Sequence, residues 1–151
     1  GTYAYLGVAP TGLKPLIMRG IDREIARAQA GMPAQVFLKM NSLTDRDVID
    51  KIAYASQAGV RVIMIIRGIC CIRPGIKGIT NNVHVHQIVG RLLEHSRVYA
   101  FGADVDTIYL SSADMMTRNT ERRVEIAYPV LDPICRKMVI SYMNLQLADH
   151  S

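Results

Sequence analysis

The apolar positions of this chain change period along its length, and each change marks an element. Tyr3–Val8 alternates apolar and polar residues and reads as an entering strand. Leu13, Ile17, Ile21, Ile25 and Ala28 then recur at helical spacing, and Gly31 and Pro33 end that helix. Val36–Met40 reads as a second strand. Thr44 with Asp47 three residues on predicts a start resembling a capping box, with the threonine oxygen accepting unpaired backbone N–H groups. The helix it opens runs through Ala58 and is closed by Gly59. Val60–Arg67 is a continuous β-branched run, the kind found in a strand buried on both faces.

Strand alternating with helix argues for a sheet covered by helices. The stretch from Gly68 to Asn82 breaks the pattern with Gly68, Pro74, Gly75 and Gly78, and such long connections are usually functional or disordered. Val83–Val85, Val98–Phe101, Ile108–Ser112 and Val124–Val130 then read as strands, with Gly102–Asp106 as the loop of an antiparallel hairpin. Asp132 as N-cap and Pro133 at the first helical position start a last helix, with Ile134, Met138, Tyr142 and Leu145 expected to face inward. No internal repeat or low-complexity tract is visible. The expected fold is a single α/β domain over 1–151, a mixed β-sheet flanked by helices.

With 151 residues, half of them hydrophobic, the chain suffices for one domain with a real core. No run reaches the length of a membrane span and no signal peptide opens the chain. Gly1 in place of methionine reads as a cloning remnant, so a piece of a longer protein is expected. The net charge of +5 favours anionic partners: polyphosphate, nucleotide, nucleic acid or an acidic membrane surface. Cys70 and Cys71 are adjacent, and neither they nor Cys135 has metal-ligand spacing, so reduced cytoplasmic thiols are the simple reading. The methionines read mostly as core filler.

The stretch from Glu94 to Glu125 carries the candidate chemistry. His95 stands at the start of an apolar run, and Arg97 shares its face if Arg97 already lies in the strand. Ser111, Ser112 and Asp114 end a second run, and Arg118, Arg122 and Glu125 follow. An imidazole attacks phosphorus or moves a proton near neutral pH, and arginines grip phosphate oxygens with paired donors while keeping their charge. Arg67 ends the central apolar run, and in open α/β sheets ligands bind at the carboxyl ends of strands. The bland reading of these residues is a surface histidine and solvated arginines. His84 and His86 share a strand face, but no third ligand is spaced to join them in a metal site.

The order of these residues resembles a degenerate phospholipase-D-type motif. Arg97 replaces the lysine of its His-x-Lys, and Ser111-Ser112-Ala113-Asp114 stands where its Gly-Ser turn would be. A closer resemblance lies in Leu93–Val98, Tyr109–Asn119 and Arg122–Glu125, with Ile21–Ile25, Val62–Cys70, Arg73–Gly75 and Ile88–Arg91. These runs resemble the last, phospholipase-D-like domain of bacterial polyphosphate kinase over almost the whole chain. Met115 stands where a tryptophan is expected, and His84 and His86 where arginine or neutral residues are.

The resemblance implies reversible transfer of the terminal phosphate of ATP to inorganic polyphosphate through a phosphohistidine intermediate. It assigns catalysis to His95, beside a phosphorylated histidine in the preceding domain. It assigns nucleotide-phosphate contact to Arg67, and phosphate binding to His95, Arg97, Arg118 and Arg122. Glu125, Ser111, Ser112 and Asp114 would support them. Mg²⁺ is implied, with its ligands in the preceding domain, and ATP/ADP as substrate. The expected partners are polyphosphate, ATP/ADP, the N-terminal domains of the same chain and further copies of it, with no nucleic acid. The expected compartment is the cytoplasm, with attachment to a membrane as the variant. Two alternatives stay open: a phospholipase-D-type phosphodiesterase or nuclease, and a non-catalytic polyanion-binding module.

Overall fold

The computed structural model describes residues 7–8, 13–87, 97–111, 126–129 and, near the C-terminus, 133, 134, 137, 140, 141 and 143–145. In chain order the elements are β1 (Gly7–Val8), α1 (Leu13–Gln29), β2 (Gln35–Met40), α2 (Arg46–Ala58), β3 (Arg61–Ile66), β4 (Val83–Gln87), β5 (Arg97–Phe101), β6 (Thr107–Ser111) and β7 (Ile126–Pro129). The 133–145 stretch adds helical residues.

The strands form one sheet of seven in the order β1-β7-β6-β5-β2-β3-β4. β2, β3 and β4 run parallel. β5 joins β2 antiparallel, and β6, β7 and β1 continue antiparallel from it. The sheet is therefore mixed, as the pattern of apolar runs predicts, and β5–β6 is the expected antiparallel hairpin.

Strand alternation sorts the core into two layers. Val36, Leu38 and Met40 of β2, Val62, Met64 and Ile66 of β3, and Tyr99 and Phe101 of β5 meet Ile17, Ile21 and Ile25 of α1 and Val48, Ile52 and Ala55 of α2. Phe37, Ile63, Ile65, Val98, Ala100 and Ile108 line the other face, where Met143 and the partly buried Ile140 cover them. β3 is buried along both faces, as its continuous apolar run predicts.

Two local expectations are corrected. The cap of α2 is Asp45 rather than Thr44: its side chain accepts the Val48 N–H at 3.1 Å, and Asp47 instead receives Lys14 Nζ at 2.9 Å. Asp45 wins because its carboxylate, in extended backbone directly before the helix, meets the N–H three residues on. Gly59 closes α2 in the left-handed region, at φ 104°, as the sequence predicts. In the C-terminal helical residues, Ile134 and Leu145 are outward, at 71% and 63% exposure, whereas Met143 is buried. The row that meets the sheet is Ile140 and Met143, so the apolar stripe is turned from the expected one; Met138, Tyr142 and Asp132 lie outside the described residues.

The 68–82 connection links two parallel strands without a helix, and it is ordered around one residue. Thr80, 3% exposed, donates its hydroxyl to the Arg73 carbonyl at 2.7 Å and accepts the Ile76 N–H at 2.9 Å. Its carbonyl takes the N–H groups of Gly75 and Val83. Asn82 clamps the end of the connection to α2, donating its N–H to Ser56 Oγ at 2.9 Å and its amide to the Ser56 carbonyl at 2.8 Å.

Candidate functional site

The register of the sheet decides which residues share an end. Met40 pairs with Ile66, and Ile66 with Gln87. Lys39 pairs with Val98, which places Arg97, the next residue outward on β5, beside Met40. Arg97 pairs with Ser111, Ser111 with Ala127, and Val8 with Ile126. One end of the sheet thus carries the carboxyl ends of β2, β3, β4 and β6 and the amino ends of β5 and β7. Gln87 and Arg97, the described residues flanking His95, both stand there. So do Ser111 and Ile126, which flank Ser112, Asp114, Arg118, Arg122 and Glu125.

Arg67 follows β3 directly at this end and is exposed. Its N–H reaches the Met40 carbonyl at 3.3 Å, the Gly68 N–H goes to the Asn41 carbonyl, and the Ile69 N–H goes to Ser42 Oγ at 3.3 Å. These bonds tie the turn after β3 to the exit of β2. Glycine at 68 suits the close approach, because a Cβ there would lie a tight 3.1 Å from both Asn41 O and Ser42 Oγ. Arg97 lies within β5 and is 6% exposed, so it is no solvated surface charge. It alternates with Tyr99 and Phe101 on the helix-covered face. β3 and β5 flank β2, so Arg67 and Arg97 project from backbones about 10 Å apart at this end.

Of the residues singled out from the sequence, the structure brings Arg67 and Arg97 to one end of the sheet and places the β6 residue Ser111 opposite Arg97. His95, Ser112, Asp114, Arg118, Arg122 and Glu125 lie outside the described residues. His84 and His86 do share a face, opposite Ile63 and Ile65 on the edge strand β4, with His84 exposed and His86 half-buried. Among the described residues no three His, Cys, Asp or Glu side chains converge to hold a metal ion. Cys70 and Cys71 are free, and burial pushes the Cys70 thiol up, away from the reactive thiolate.

Sequence reasoning passed over Lys39. It is 3% exposed, between Ile65 and Val98 in register and one residue from the Arg97 level. A lysine inside the apolar run Val36–Met40 was the available signal.

The ion pairs around α1 hold the scaffold at the opposite end of the sheet. Glu24, fully buried, accepts Arg27 Nη1 at 3.0 Å, Arg23 Nε at 3.3 Å and the Gln35 N–H at 3.2 Å. Asp106 of the hairpin accepts Arg27 Nη2 at 3.0 Å and Arg23 Nη2 at 3.3 Å. The Arg27 hydrogen bond holds the Asp106 carboxyl below the usual carboxylate range, and Arg27 is raised in turn by Asp106. The Ile21–Ile25 run is therefore a structural lock, joining α1 to β2 and the hairpin.

Sheet order and helix placement are those of a phospholipase-D-type fold, with Arg67 and Arg97 at one end of its sheet. The structure of a phospholipase D family member, Nuc, from Salmonella typhimurium superposes with a TM-score of 0.68 at 15% identity, over 98% of this chain and 95% of that one. At that identity the likeness concerns the fold alone. Residues 6–151 match the family described as polyphosphate kinase C-terminal domain 2, and the chain belongs to it. Polyphosphate kinase from Lactiplantibacillus plantarum is 52% identical over 95% of this chain and 20% of its own length. The Escherichia coli polyphosphate kinase is 42% identical over 98% of this chain and 22% of its own length. The crystal structure of polyphosphate kinase from Porphyromonas gingivalis superposes with a TM-score of 0.87 at 39% identity, covering 95% of this chain and 22% of that one. The chain spans about a fifth of the length of the curated relatives it matches. No helix among the described residues is long and apolar enough to cross a membrane.

Proposed function

We propose that the protein carrying this chain is a polyphosphate kinase, reversibly transferring the terminal phosphate of ATP to inorganic polyphosphate through a phosphohistidine. This domain supplies His95 together with Arg67, Arg97, Arg118 and Arg122 as phosphate contacts, and Glu125, Ser111, Ser112 and Asp114 as support. The observation that carries the reading is the placement of Arg67 and Arg97 at the same end of the sheet, on the two strands that flank β2, where the described residues flanking His95 also stand.

In the forward direction an imidazole nitrogen of the preceding domain attacks the terminal phosphorus of ATP. The bond from that phosphorus to the bridging oxygen breaks, and its electron pair leaves with ADP. The terminal oxygen of a polyphosphate chain then attacks the phosphoramidate, restoring the imidazole and lengthening the chain by one unit. Proton handling at the transferring group falls to His95, while the arginine guanidiniums offset charge on the phosphoryl oxygens without changing protonation. Mg²⁺ would neutralise phosphate charge from ligands in the preceding domain, and no step here is routed through it. The substrates are ATP/ADP and polyphosphate, the enzyme works in the cytoplasm, and copies of the full-length chain assemble with one another.

His95→Ala in the full-length protein should lower turnover by about 10²–10⁴-fold, the usual contribution of general acid–base catalysis. Circular dichroism should stay unchanged. Near-normal kcat in a folded variant would reduce His95 to a structural role. The phosphodiesterase reading is favoured only by fold, and a metal-independent nuclease activity lost with His95→Ala would establish it instead.

A further inference from the structure

A cavity of about 150 Å³ opens between α1 and the β5–β6 hairpin, away from the strand-end site. Arg19 and Arg23, one helical turn apart on α1, form one wall, and Thr107 and Tyr109 of β6 form the other. Phe101 closes the floor, its ring edge-on to Tyr109 with centroids 6.5 Å apart. Gly20 makes that floor possible, because a Cβ there would fall 2.5 Å from the Phe101 ring. Glycine inside a helix costs about 1 kcal/mol against alanine, and here it lets α1 lie directly on the ring.

The chemistry of the lining is one-sided. Two guanidiniums, a threonine hydroxyl and a phenol all present donors, and none of the described residues that line the cavity is a carboxylate. Arg23 is partly neutralised by Glu24 and Asp106. Arg19 is exposed and enters no ion pair among the described residues, so its charge is the one available to an incoming anion. The volume lies below the roughly 300 Å³ at which pockets for drug-sized ligands begin. Small size, donor lining and a net charge of +5 select a compact oxyanion.

We propose that this cavity is a phosphate-binding subsite separate from the strand-end site, with Arg19 as its principal anion contact and Thr107, Tyr109 and Arg23 completing the donor set. The phosphate group is either free orthophosphate or one unit of a polyphosphate chain. The inference concerns binding alone and does not depend on the proposed phosphoryl transfer.

Isothermal titration calorimetry of the full-length protein, without turnover, tests it with three probes: orthophosphate, medium-chain polyphosphate and ATP. Arg19→Gln should weaken binding of polyphosphate, of orthophosphate or of both by about two- to tenfold, the range for a typical net hydrogen bond. Arg19→Lys should recover part of the loss, and Thr107→Val should lower affinity in the same direction. ATP affinity should not change. A loss confined to polyphosphate identifies the chain as the source, and a loss that includes orthophosphate identifies the free ion. Unchanged affinities in a normally melting Arg19→Gln protein would overturn the subsite. An equal loss for ATP would also overturn it, because the effect would then be a general change in surface field.

Discussion

Glu24 shows how a single side chain organises this domain. A carboxylate with no exposure survives only when its lone pairs are met, and Glu24 has two guanidiniums and a backbone N–H. Removing it by Glu24→Ala leaves the Gln35 N–H without its acceptor and Arg23 and Arg27 with Asp106 alone. The expected loss is about 1–3 kcal/mol, the range for a buried donor left unsatisfied. Glu24→Gln keeps an acceptor for Gln35 and should cost less; denaturant melts of the two variants rank them. Asp106 adds a pH signature. Its carboxyl titrates lower in the folded state than in the unfolded chain, chiefly through the Arg27 hydrogen bond. Its contribution is therefore fully present above the unfolded value of about 3.9, and is lost as pH falls through the folded value. The Tm difference between the wild type and Asp106→Asn should stay constant from neutral pH down to about 4 and shrink below it. A difference that grows on acidification would contradict the assignment.

Elements were legible where local periodicity had one meaning. α1, α2, β2 and β3 came out close to their bounds because Ile17, Ile21 and Ile25 or Val62–Ile66 leave no other period. The cap of α2 and the inward row of the last helix were missed for a common reason. Asp45 and Thr44 are both good caps, and Ile134 or Met143 both suit an apolar stripe; tertiary packing decides between neighbours that propensity ranks alike. The 68–82 connection looked structureless because its order comes from one threonine that no periodicity marks. Thr80→Val should cost about 1–3 kcal/mol, since the Ile76 N–H and Arg73 carbonyl lose a buried partner. Thr80→Ser should restore most of it. Hydrogen exchange at Ile76 and Gly75 checks this directly: their protection should fall in the valine variant and return with serine. Unchanged exchange would mean that the turn is held by its backbone alone.

At the scale of the whole molecule, the position of the site was only half legible. Arg67 at the end of an apolar run pointed to a strand-end ligand site, and the resemblance pointed to His95 and Arg97. What sequence could not supply was sheet order. β5 lies beside β2 although β3 and β4 come between them in the chain, and only that non-local pairing brings Arg97 to the same end of the sheet as Arg67. Both faces of the sheet carry buried clusters among the described residues, so independent folding of the 151-residue chain is an expectation a melt can test. That makes a division-of-labour experiment meaningful. If the phosphorylated histidine belongs to the preceding domain, the isolated chain should melt cooperatively yet make no polyphosphate from ATP and Mg²⁺. It should still bind polyphosphate, with affinity falling steeply as salt rises, because exposed charges are screened within about 8 Å at physiological ionic strength. Adding back the missing N-terminal portion should restore some synthesis where the same portion carrying a substituted histidine does not. Robust synthesis by the isolated chain would place the whole phosphoryl-transfer chemistry inside these 151 residues and remove the need for a second domain.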